Sequence, residues 1–582
     1  MRIKLFLLLI TLIAFLAYYS FNVESKEISR NENNVNDNSW VEQKLSSMTL
    51  REKIAQMIIS YSDGYTLSKD SKEYERLSDL IRNLKIGGLI FFKGNSLQEA
   101  TLINDLQSLS ETPLLISADF ERGTKMRLDD GSLFPSNMAL GATRNTEFAY
   151  KMGNLIAGEC RAMGIHQNYS PVLDVNTNPK NPIVNVRSFG DDPNLVSEMG
   201  IMMIKGLQDG GVIATGKHFP GHGGTDIDSH NDLPVLNTDI DNLNEVELVP
   251  FKNAISAGLK SVMIAHLSFP SIEKNTNVPA SLSGKIVQEI LIDQLGFDGL
   301  IITDALNMPG VTKHFNTQQV AVMSVLAGID LILMPQGEEL TINSIEDAVK
   351  KGTITEEMIN KSVKKILEAK KWLGLNENKF VKTDPLKKII NSDDEKALSQ
   401  QIADESITLV KNEQSLVPFK PVIRNMLIIS LNNGNDKANS DYFLQEFKSK
   451  TDKIITGLKI FDEVGEIDNI NEVLNSSNEF DYVLIPVYAK IKIKTGTVGL
   501  PQTQTDLINK LIETKKKIIM ISFGNPYLLQ GFTGVNTYIC AYGDCESSIN
   551  SAVNAIFGEI RFKGRLPVSI NDTYKFGTGI SN

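Results

Sequence analysis

Eight short apolar runs, separated by longer amphipathic stretches, occupy the sequence between Trp40 and Leu375. Runs this short and this apolar are typical of strands that are buried on both faces, and intervening stretches such as 195–208 have helical periodicity. Strands that alternate with helices form parallel sheets, so eight such units predict an α/β fold with a (β/α)8 barrel of the TIM type over residues 40–375. The runs cover residues 56–61, 86–92, 113–119, 166–175, 211–219, 261–267, 299–305 and 328–335.

A second, smaller α/β domain is predicted at residues 399–582, after a charged linker at 376–398. It begins with a helix, and its apolar runs indicate a parallel or mixed sheet with helices. The predicted strands are at 405–412, 426–430, 482–487, 517–523 and 537–542.

The first residues have a different character. Arg2 and Lys4 precede a nearly uninterrupted apolar run from Leu5 to Val23. This pattern predicts a signal peptide or an uncleaved membrane anchor at 1–24, followed by a polar tether at 25–39. We therefore expect an exported protein, periplasmic or extracellular, which touches the membrane only through this segment.

Charge and cysteine content exclude several classes of protein. The net charge of -11 disfavours nucleic acid and anionic membrane surfaces as partners, so a small or neutral ligand is expected. The three cysteines are too few for a disulfide framework and form no zinc pattern. We expect buried thiols, with a bridge between Cys540 and Cys545 as the alternative.

Polar side chains follow five of the apolar runs. Asp119, Asp174, His218, His266 and Asp304 each lie at or just past the end of a run. Barrel enzymes carry their active sites at the carboxyl ends of the strands. One such coincidence means little, but five on different strands predict an active site.

The densest group of titratable residues is the run from Lys217 to His230, KHFPGHGGTDIDSH, which holds three of the six histidines. Histidines and carboxylates placed together after a strand are typical of proton transfer. The alternative is a polar loop whose histidines make local hydrogen bonds.

This run, with the DLP that follows it, resembles the signature of glycoside hydrolase family 3, and specifically of its β-N-acetylglucosaminidase branch. Other segments match the family in the same order, so the resemblance covers nearly everything after residue 40. It implies that the second domain is an α/β sandwich. The matching segments are ADFERG (118–123), NVRSFGDDP (185–193), ITDALNM (302–308), ESITLVKN (405–412) and FGEIRFKGRLPVS (557–569).

The resemblance implies the catalytic residues. Asp304 matches the nucleophile of a retaining glycosidase, although an aspartate before ALNM is also a typical helix N-cap. In place of a second carboxylate, the acid/base resembles a dyad of Asp228 and His230, with an ordinary loop salt bridge as the alternative reading of that pair.

The resemblance also implies the residues that bind the sugar hydroxyls. They are Asp119, Arg127, Arg187, Lys217 and His218, and charged groups of this kind form strong, directional hydrogen bonds with hydroxyls. Of these, the Arg127 assignment has the strongest alternative, which is an ordinary surface arginine.

One segment departs from the family pattern, because Arg122 replaces one of the two glycines that usually follow ADFE. The change is expected to affect the loop after the run 113–119. Among the remaining histidines, His222 and His266 are candidates to support the site, and His166 is expected to be a core residue.

The sequence thus predicts a retaining exo-β-N-acetylglucosaminidase that acts on peptidoglycan or chitin-type fragments, with no metal or organic cofactor implied. A family 3 β-glucosidase or xylosidase, which would use a glutamate of the second domain as acid/base, is one alternative. A non-catalytic saccharide-binding protein is another. A neutral histidine base repels an anion less than a carboxylate does, so phosphate is a hypothetical alternative to water as the acceptor.

Overall fold

A computed structural model of the chain describes residues 39–226, 232–419, 423–433, 437–451, 455–462, 470–489 and 498–581. The predicted signal peptide or anchor at 1–24 and residues 25–38 of the predicted tether lie outside the described residues, and so do Asp228 and His230. Within the described part of the chain, no helix has the length and apolar character needed to cross a membrane.

Eight parallel strands form the barrel, and each overlaps one of the predicted apolar runs. Their order in the sheet, β7-β6-β5-β4-β3-β2-β1-β8, follows the chain. The two edge strands meet where the Leu331 N–H donates to the Ile301 carbonyl oxygen at 3.0 Å, which confirms the predicted barrel. The strands are β1 (Ile58–Gly64), β2 (Gly88–Gly94), β3 (Leu115–Ala118), β4 (Gln167–Asn168), β5 (Ile213–Phe219), β6 (Ser261–Ile264), β7 (Leu300–Thr303) and β8 (Ile332–Leu333).

The fourth strand is shorter than predicted. The run 166–175 pairs in the ladder only at Gln167 and Asn168. Pro171 has no N–H to donate, and the chain then returns to the sheet through a single bridge between Val172 and Lys217. This departure from the ladder brings the residues after it beside the end of β5.

Each barrel strand is followed by a helix that packs on the outside of the barrel. Polar N-cap side chains begin several of them: Ser71, Asn95 and Asp192 each accept a hydrogen bond from a backbone N–H of the first turn. The helices that follow β1 to β8 are Lys72–Arg82, Ser96–Leu109, Thr146–Met163, Pro193–Asp209, Leu248–Ser256, the π-helix Lys285–Gln294, Thr317–Ala327 and Glu338–Lys350. Further barrel helices are Ser39–Ser47, Leu50–Gln56, Asn137–Thr143 and Glu356–Trp372.

The second domain is a six-stranded sheet with helices on both faces, which confirms the predicted α/β sandwich. The strand order is β11-β10-β12-β13-β14-β9, and β9 alone is antiparallel to its neighbour. The strands are β9 (Thr408–Asn412), β10 (Ile423–Asn432), β11 (Ile455–Asp462), β12 (Tyr482–Tyr488), β13 (Lys517–Ser522) and β14 (Thr537–Cys540). The helices are Asp393–Ser406, Ala438–Ser449, Ile470–Ser477, Gln502–Glu513 and Glu546–Phe557.

The structure corrects two predictions for this region and settles the state of the cysteines. The edge strand β11 was absent from the predicted set, and the predicted linker at 376–398 contains the helix Leu386–Ile389 and the start of Asp393–Ser406. Cys160, Cys540 and Cys545 are buried free thiols, so the alternative of a disulfide bridge is wrong.

The barrel and the second domain pack closely together. The helix Asn137–Thr143 inserts Met138 and Ala139 into the apolar cluster on one face of the second sheet. Just before this helix, the Ser136 hydroxyl donates to the Tyr542 carbonyl oxygen at 2.8 Å. This contact joins the loop after β3 to the loop after β14.

Candidate active site

A cavity of about 580 Å³ lies at the carboxyl ends of the barrel strands, and the second domain forms part of its wall. This is within the range of roughly 300–1,000 Å³ that is usual for small-molecule sites. The second-domain wall follows the carboxyl ends of β12, β13 and β14, so both sheets direct the same end of their strands at the cavity. Its residues are Ala489, Phe523, Gly524, Tyr542, Gly543 and Asp544.

Every predicted site residue that the structure describes lines this one cavity. Asp228 and His230 lie outside the described residues, so their assignment remains a prediction from the sequence. The six that line the cavity are Asp119, Arg127, Arg187, Lys217, His218 and Asp304.

Carboxylates and cations on the barrel strand ends form one connected cluster. Lys217 at the end of β5 lies between two carboxylates, with its Nζ 2.8 Å from Asp119 Oδ1 and 2.8 Å from Glu121 Oε1. Arg187 binds Glu121 through two nitrogens, at 2.6 and 3.0 Å. Arg127 reaches the second oxygen of Asp119 at 3.2 Å, so it is part of the cluster and not an isolated surface arginine.

Glu121 is the central carboxylate of this cluster, and the sequence analysis did not assign it a role. Burial alone would raise its pKa, but Arg187 and Lys217 outweigh that effect and hold the pKa well below its usual range. Burial would lower the pKa of Lys217, but its contacts with Asp119 and Glu121 outweigh burial and raise it. The only signal in the sequence was its position two residues after Asp119 within ADFERG, because its partners are distant along the chain.

A second buried carboxylate binds His218, which lies near the end of β5, and the backbone of His222, which follows this strand. Asp174 Oδ2 accepts a hydrogen bond from His218 Nδ1 at 2.7 Å. Its other oxygen accepts from the backbone N–H groups of His218 and His222, at 3.1 and 2.8 Å. Burial would raise the pKa of Asp174, but His218 and these hydrogen bonds lower it. Asp174 was recognised in the sequence as a strand-end residue but was given no function.

Asp304 lies directly after β7 and faces the cavity. Its Oδ1 accepts a hydrogen bond from the Ala305 N–H at 2.7 Å. Burial would raise its pKa, but the surrounding positive charge, chiefly from His266 and His218, outweighs burial and lowers the pKa. No helix begins at Ala305, so the alternative of a helix N-cap is wrong. Asp304 is therefore an ionised carboxylate on a rigid strand end.

The other histidines have distinct environments. His166 is buried, its Nδ1 accepts the Ile116 N–H at 3.0 Å, and burial lowers its pKa to about 3, as expected of a neutral core residue. His266 lies between the Ser281 hydroxyl at 2.8 Å and the Ala305 carbonyl at 3.0 Å, where it supports the loop that holds Asp304.

The loop after β3 tolerates the unusual Arg122. The backbone has a positive φ of 110° at Gly123, where a Cβ atom would lie 2.3 Å from the Ser132 carbonyl oxygen. Glycine is therefore required at 123 but not at 122. The expected disturbance does not separate Asp119 from Arg127, and the Arg122 side chain lines the cavity.

The described residues hold no group of three or more His, Cys, Asp or Glu side chains arranged to bind a metal ion. What the cavity does present is an ionised aspartate on one strand end and a network of charged hydrogen-bonding groups on its neighbours. Such a network suits a polyhydroxylated ligand, because each hydroxyl can donate to a carboxylate and accept from a cation.

Two family models match the chain. The glycosyl hydrolase family 3 N terminal domain matches residues 49–369, and the glycosyl hydrolase family 3 C-terminal domain matches residues 407–577. Together they span both observed domains.

Individual relatives agree with these matches. A β-N-acetylglucosaminidase/β-glucosidase of Cellulomonas fimi is 27% identical, over 91% of this chain and 95% of its own length. β-Hexosaminidase A of Pseudoalteromonas piscicida is 32% identical over 58% of this chain and 61% of its own length. A β-hexosaminidase of Thiobacillus denitrificans is 35% identical over 48% of this chain and 77% of its own length.

Two solved structures share the whole architecture. A β-glucoside phosphorylase superposes with a TM-score of 0.83 and 27% identity, covering 91% of this chain and 96% of its own. A family 3 β-N-acetylglucosaminidase from Paenibacillus superposes with a TM-score of 0.77 and 29% identity, covering 90% of this chain and 99% of its own. These relatives confirm the resemblance drawn from the motifs.

Proposed function

Because this chain belongs to glycosyl hydrolase family 3 and is a glycoside hydrolase, we propose that it is a retaining exo-β-N-acetylglucosaminidase. The observation that carries the proposal is Asp304, an ionised carboxylate that faces a cavity lined by charged hydrogen-bonding side chains. The hexosaminidases among the relatives support GlcNAc as the sugar.

Asp304 is the proposed nucleophile. Its carboxylate attacks the anomeric carbon of the bound sugar, the bond to the leaving oxygen breaks, and a glycosyl ester of Asp304 forms. Water then attacks the same carbon, which releases the sugar with retained configuration and restores the carboxylate. A lowered pKa keeps the carboxylate ionised for attack at neutral pH.

His230, oriented by Asp228, is the proposed acid/base. It gives a proton to the leaving oxygen in the first step and removes one from water in the second. The assignment depends on the sequence, in which a histidine replaces the second carboxylate of most retaining glycosidases. An imidazole has an unperturbed pKa of about 6.5, which suits both steps near neutrality.

The carboxylate and cation cluster is the proposed binding site for the terminal sugar. Lys217 and Glu121 have side chains only 3% and 6% exposed, so the cluster forms the inner end of the cavity. A terminal non-reducing residue fits such an end, which supports exo action. Peptidoglycan fragments and chitin-type oligosaccharides are the proposed substrates, with the aglycone directed toward the second domain.

The stereochemical course of the reaction tests the proposal. With an aryl β-N-acetylglucosaminide, NMR during the first minutes is expected to show β-GlcNAc as the first product. The Asp304→Asn variant is expected to lose turnover while still binding substrate. Asp298→Asn, which changes an exposed aspartate just before β7, is the matched control and is expected to retain full activity. A first product in the α form, or an active Asp304→Asn enzyme, would overturn the proposal.

A β-glucosidase or xylosidase remains the second candidate, because Asp544 of the second domain lines the cavity. The alternative enzyme requires a glutamate from this domain as acid/base. Here the carboxylate is that of an aspartate, and it accepts a hydrogen bond from Asn439 at 2.9 Å. Rates on aryl β-glycosides of GlcNAc, glucose and xylose decide between the two. Equal or faster hydrolysis of the glucoside, together with loss of activity in Asp544→Asn, would favour the alternative.

We also propose that the protein is exported, because of the apolar run from Leu5 to Val23. Fractionation of cells that express the full chain is expected to recover the activity outside the cytoplasm or on the membrane.

A further inference from the structure

Arg122 is the one lysine or arginine on the described cavity wall that has no charged partner. The wall carries Arg122, Arg127, Arg187 and Lys217, and the last three are paired with the carboxylates of the cluster. Among the described residues, the hydrogen bonds of Arg122 involve only its backbone: its N–H approaches Met126 Sδ, and its carbonyl oxygen accepts from the Phe134 N–H.

Asp544, the second-domain carboxylate on the same wall, is not a charged partner of Arg122 in the described structure. No ion pair within 4.0 Å joins Arg122 to Asp544 in the described structure. The Asp544 carboxylate instead accepts a hydrogen bond from Asn439. The wall therefore presents a half-buried guanidinium whose charge is not matched by a neighbouring side chain.

The position of Arg122 separates it from the proposed site of the terminal sugar. Glu121, the residue before it, directs its side chain into the cluster and contacts Arg187 and Lys217. The Arg122 guanidinium takes no part in that cluster, although it lines the same cavity. When the cluster holds a sugar ring, Arg122 can therefore bind the group next to that ring, which is either the aglycone or the acceptor.

We propose that Arg122 binds an anion beside the scissile bond. A guanidinium binds carboxylate and phosphate oxygens in pairs, with shorter and stronger bonds than those to neutral acceptors. Two sources share this chemistry: a carboxylate carried by the aglycone sugar, such as the lactyl ether of a muropeptide, and inorganic phosphate acting as acceptor in place of water. In the second case a phosphate oxygen attacks the anomeric carbon, the bond to Asp304 breaks, and a sugar 1-phosphate leaves. The inference rests on the proposed glycosidase function.

The test compares a β-linked disaccharide of GlcNAc whose aglycone carries a lactyl carboxylate with the methyl ester of the same disaccharide. Hydrogen bonds to charged groups suggest that Arg122→Ala lowers kcat/KM for the acid about 10- to 100-fold. The ester is expected to change by less than threefold, and Arg122→Lys to give an intermediate value. Lys125→Ala, which removes an exposed charge from the same loop, is the matched control and is expected to change neither rate.

A parallel arm measures sugar 1-phosphate formed from a neutral aryl β-N-acetylglucosaminide with and without inorganic phosphate. If phosphate is the anion, the wild type forms the 1-phosphate, Arg122→Ala raises the half-saturating phosphate concentration, and the ratio of acid to ester rates is unchanged. Variants in which neither readout differs from Lys125→Ala would overturn the inference. A wild type that does not act on the aryl β-N-acetylglucosaminide would overturn the proposed function itself, and the inference with it.

Discussion

Replacement of Glu121 by glutamine is the perturbation that most directly probes the charged cluster. The carboxylate binds Arg187 through two hydrogen bonds and Lys217 through one, and its side chain is 6% exposed. Removal of one partner from a buried ion pair costs about 3–5 kcal/mol, because the remaining charge stays buried without compensation. Glutamine keeps one acceptor oxygen and Lys217 keeps Asp119, so we expect the lower end, about 3 kcal/mol.

The pH dependence of this loss has a defined sign. The pKa of Glu121 lies well below its ordinary value of 4.5 in the folded protein, because Arg187 and Lys217 outweigh burial. The folded state therefore releases the proton more readily than the unfolded state does. The stabilisation by Glu121 is fully present above pH 4.5 and is lost as the pH falls below it. The difference between wild type and Glu121→Gln is expected to shrink in the same range.

Differential scanning calorimetry at several pH values measures this difference. At about 2 °C per kcal/mol, 3 kcal/mol corresponds to a fall of about 6 °C in the barrel transition near pH 7. The displaced cations are expected to lower kcat/KM by about 100-fold, the scale of a 1 Å misplacement. Glu111→Gln, which removes an exposed partner of Lys85, is the control and is expected to shift Tm by less than 2 °C. An unchanged Tm and activity in Glu121→Gln would refute the assignment of Glu121 as the central carboxylate.

Three further predictions concern buried groups and the loop after β5. Burial raises the pKa of Glu247 to about 8, so the folded state holds this proton more tightly than the unfolded state does. The Tm of the wild type should therefore fall relative to that of Glu247→Gln as the pH rises from 4.5 to 8. Burial lowers the pKa of Lys370 to about 7, so the folded state releases this proton more readily than the unfolded state does. The contribution of Lys370 to stability is therefore lost as the pH falls from 10.5 to 7, and Lys370→Met should have a higher Tm than wild type at pH 6. A Cβ atom at Gly223 would lie 1.5 Å from the Val175 carbonyl oxygen, so Gly223→Ala should displace this loop and lower kcat/KM at least tenfold. The control Gly158→Ala adds its Cβ in open space and should leave kcat/KM unchanged.

The barrel was predictable because strands buried on both faces leave continuous apolar runs. The edge strand β11 was not predicted, because its sequence, ITGLKIFD, mixes polar and apolar residues, as an edge with one neighbour permits. The fourth strand was predicted too long, because its apolar run continues through Pro171, which cannot donate to the ladder.

The candidate site was predictable where its residues lie at the end of a strand or directly after it, as Lys217 and Asp304 do. Glu121 and Asp174 escaped assignment because their function lies in pairs across the barrel, which no local pattern encodes. Glu121 lies 66 residues from Arg187, and Asp174 lies 44 residues from His218. The sequence likewise did not predict that the second domain forms part of the cavity wall. This contribution depends on how the two sheets pack, because both direct the carboxyl ends of their strands at one cavity.

Trapping of the covalent intermediate tests the central claim, that Asp304 is the nucleophile. A fluorinated aryl β-N-acetylglucosaminide with a good leaving group forms the ester faster than water removes it, so the adduct accumulates. Intact-mass analysis of the acid-quenched enzyme is expected to show one added sugar, and peptide mapping to place it on Asp304, with no adduct in Asp304→Asn. A sugar attached to another residue, or turnover of a natural disaccharide to α-GlcNAc with no adduct formed, would contradict the account.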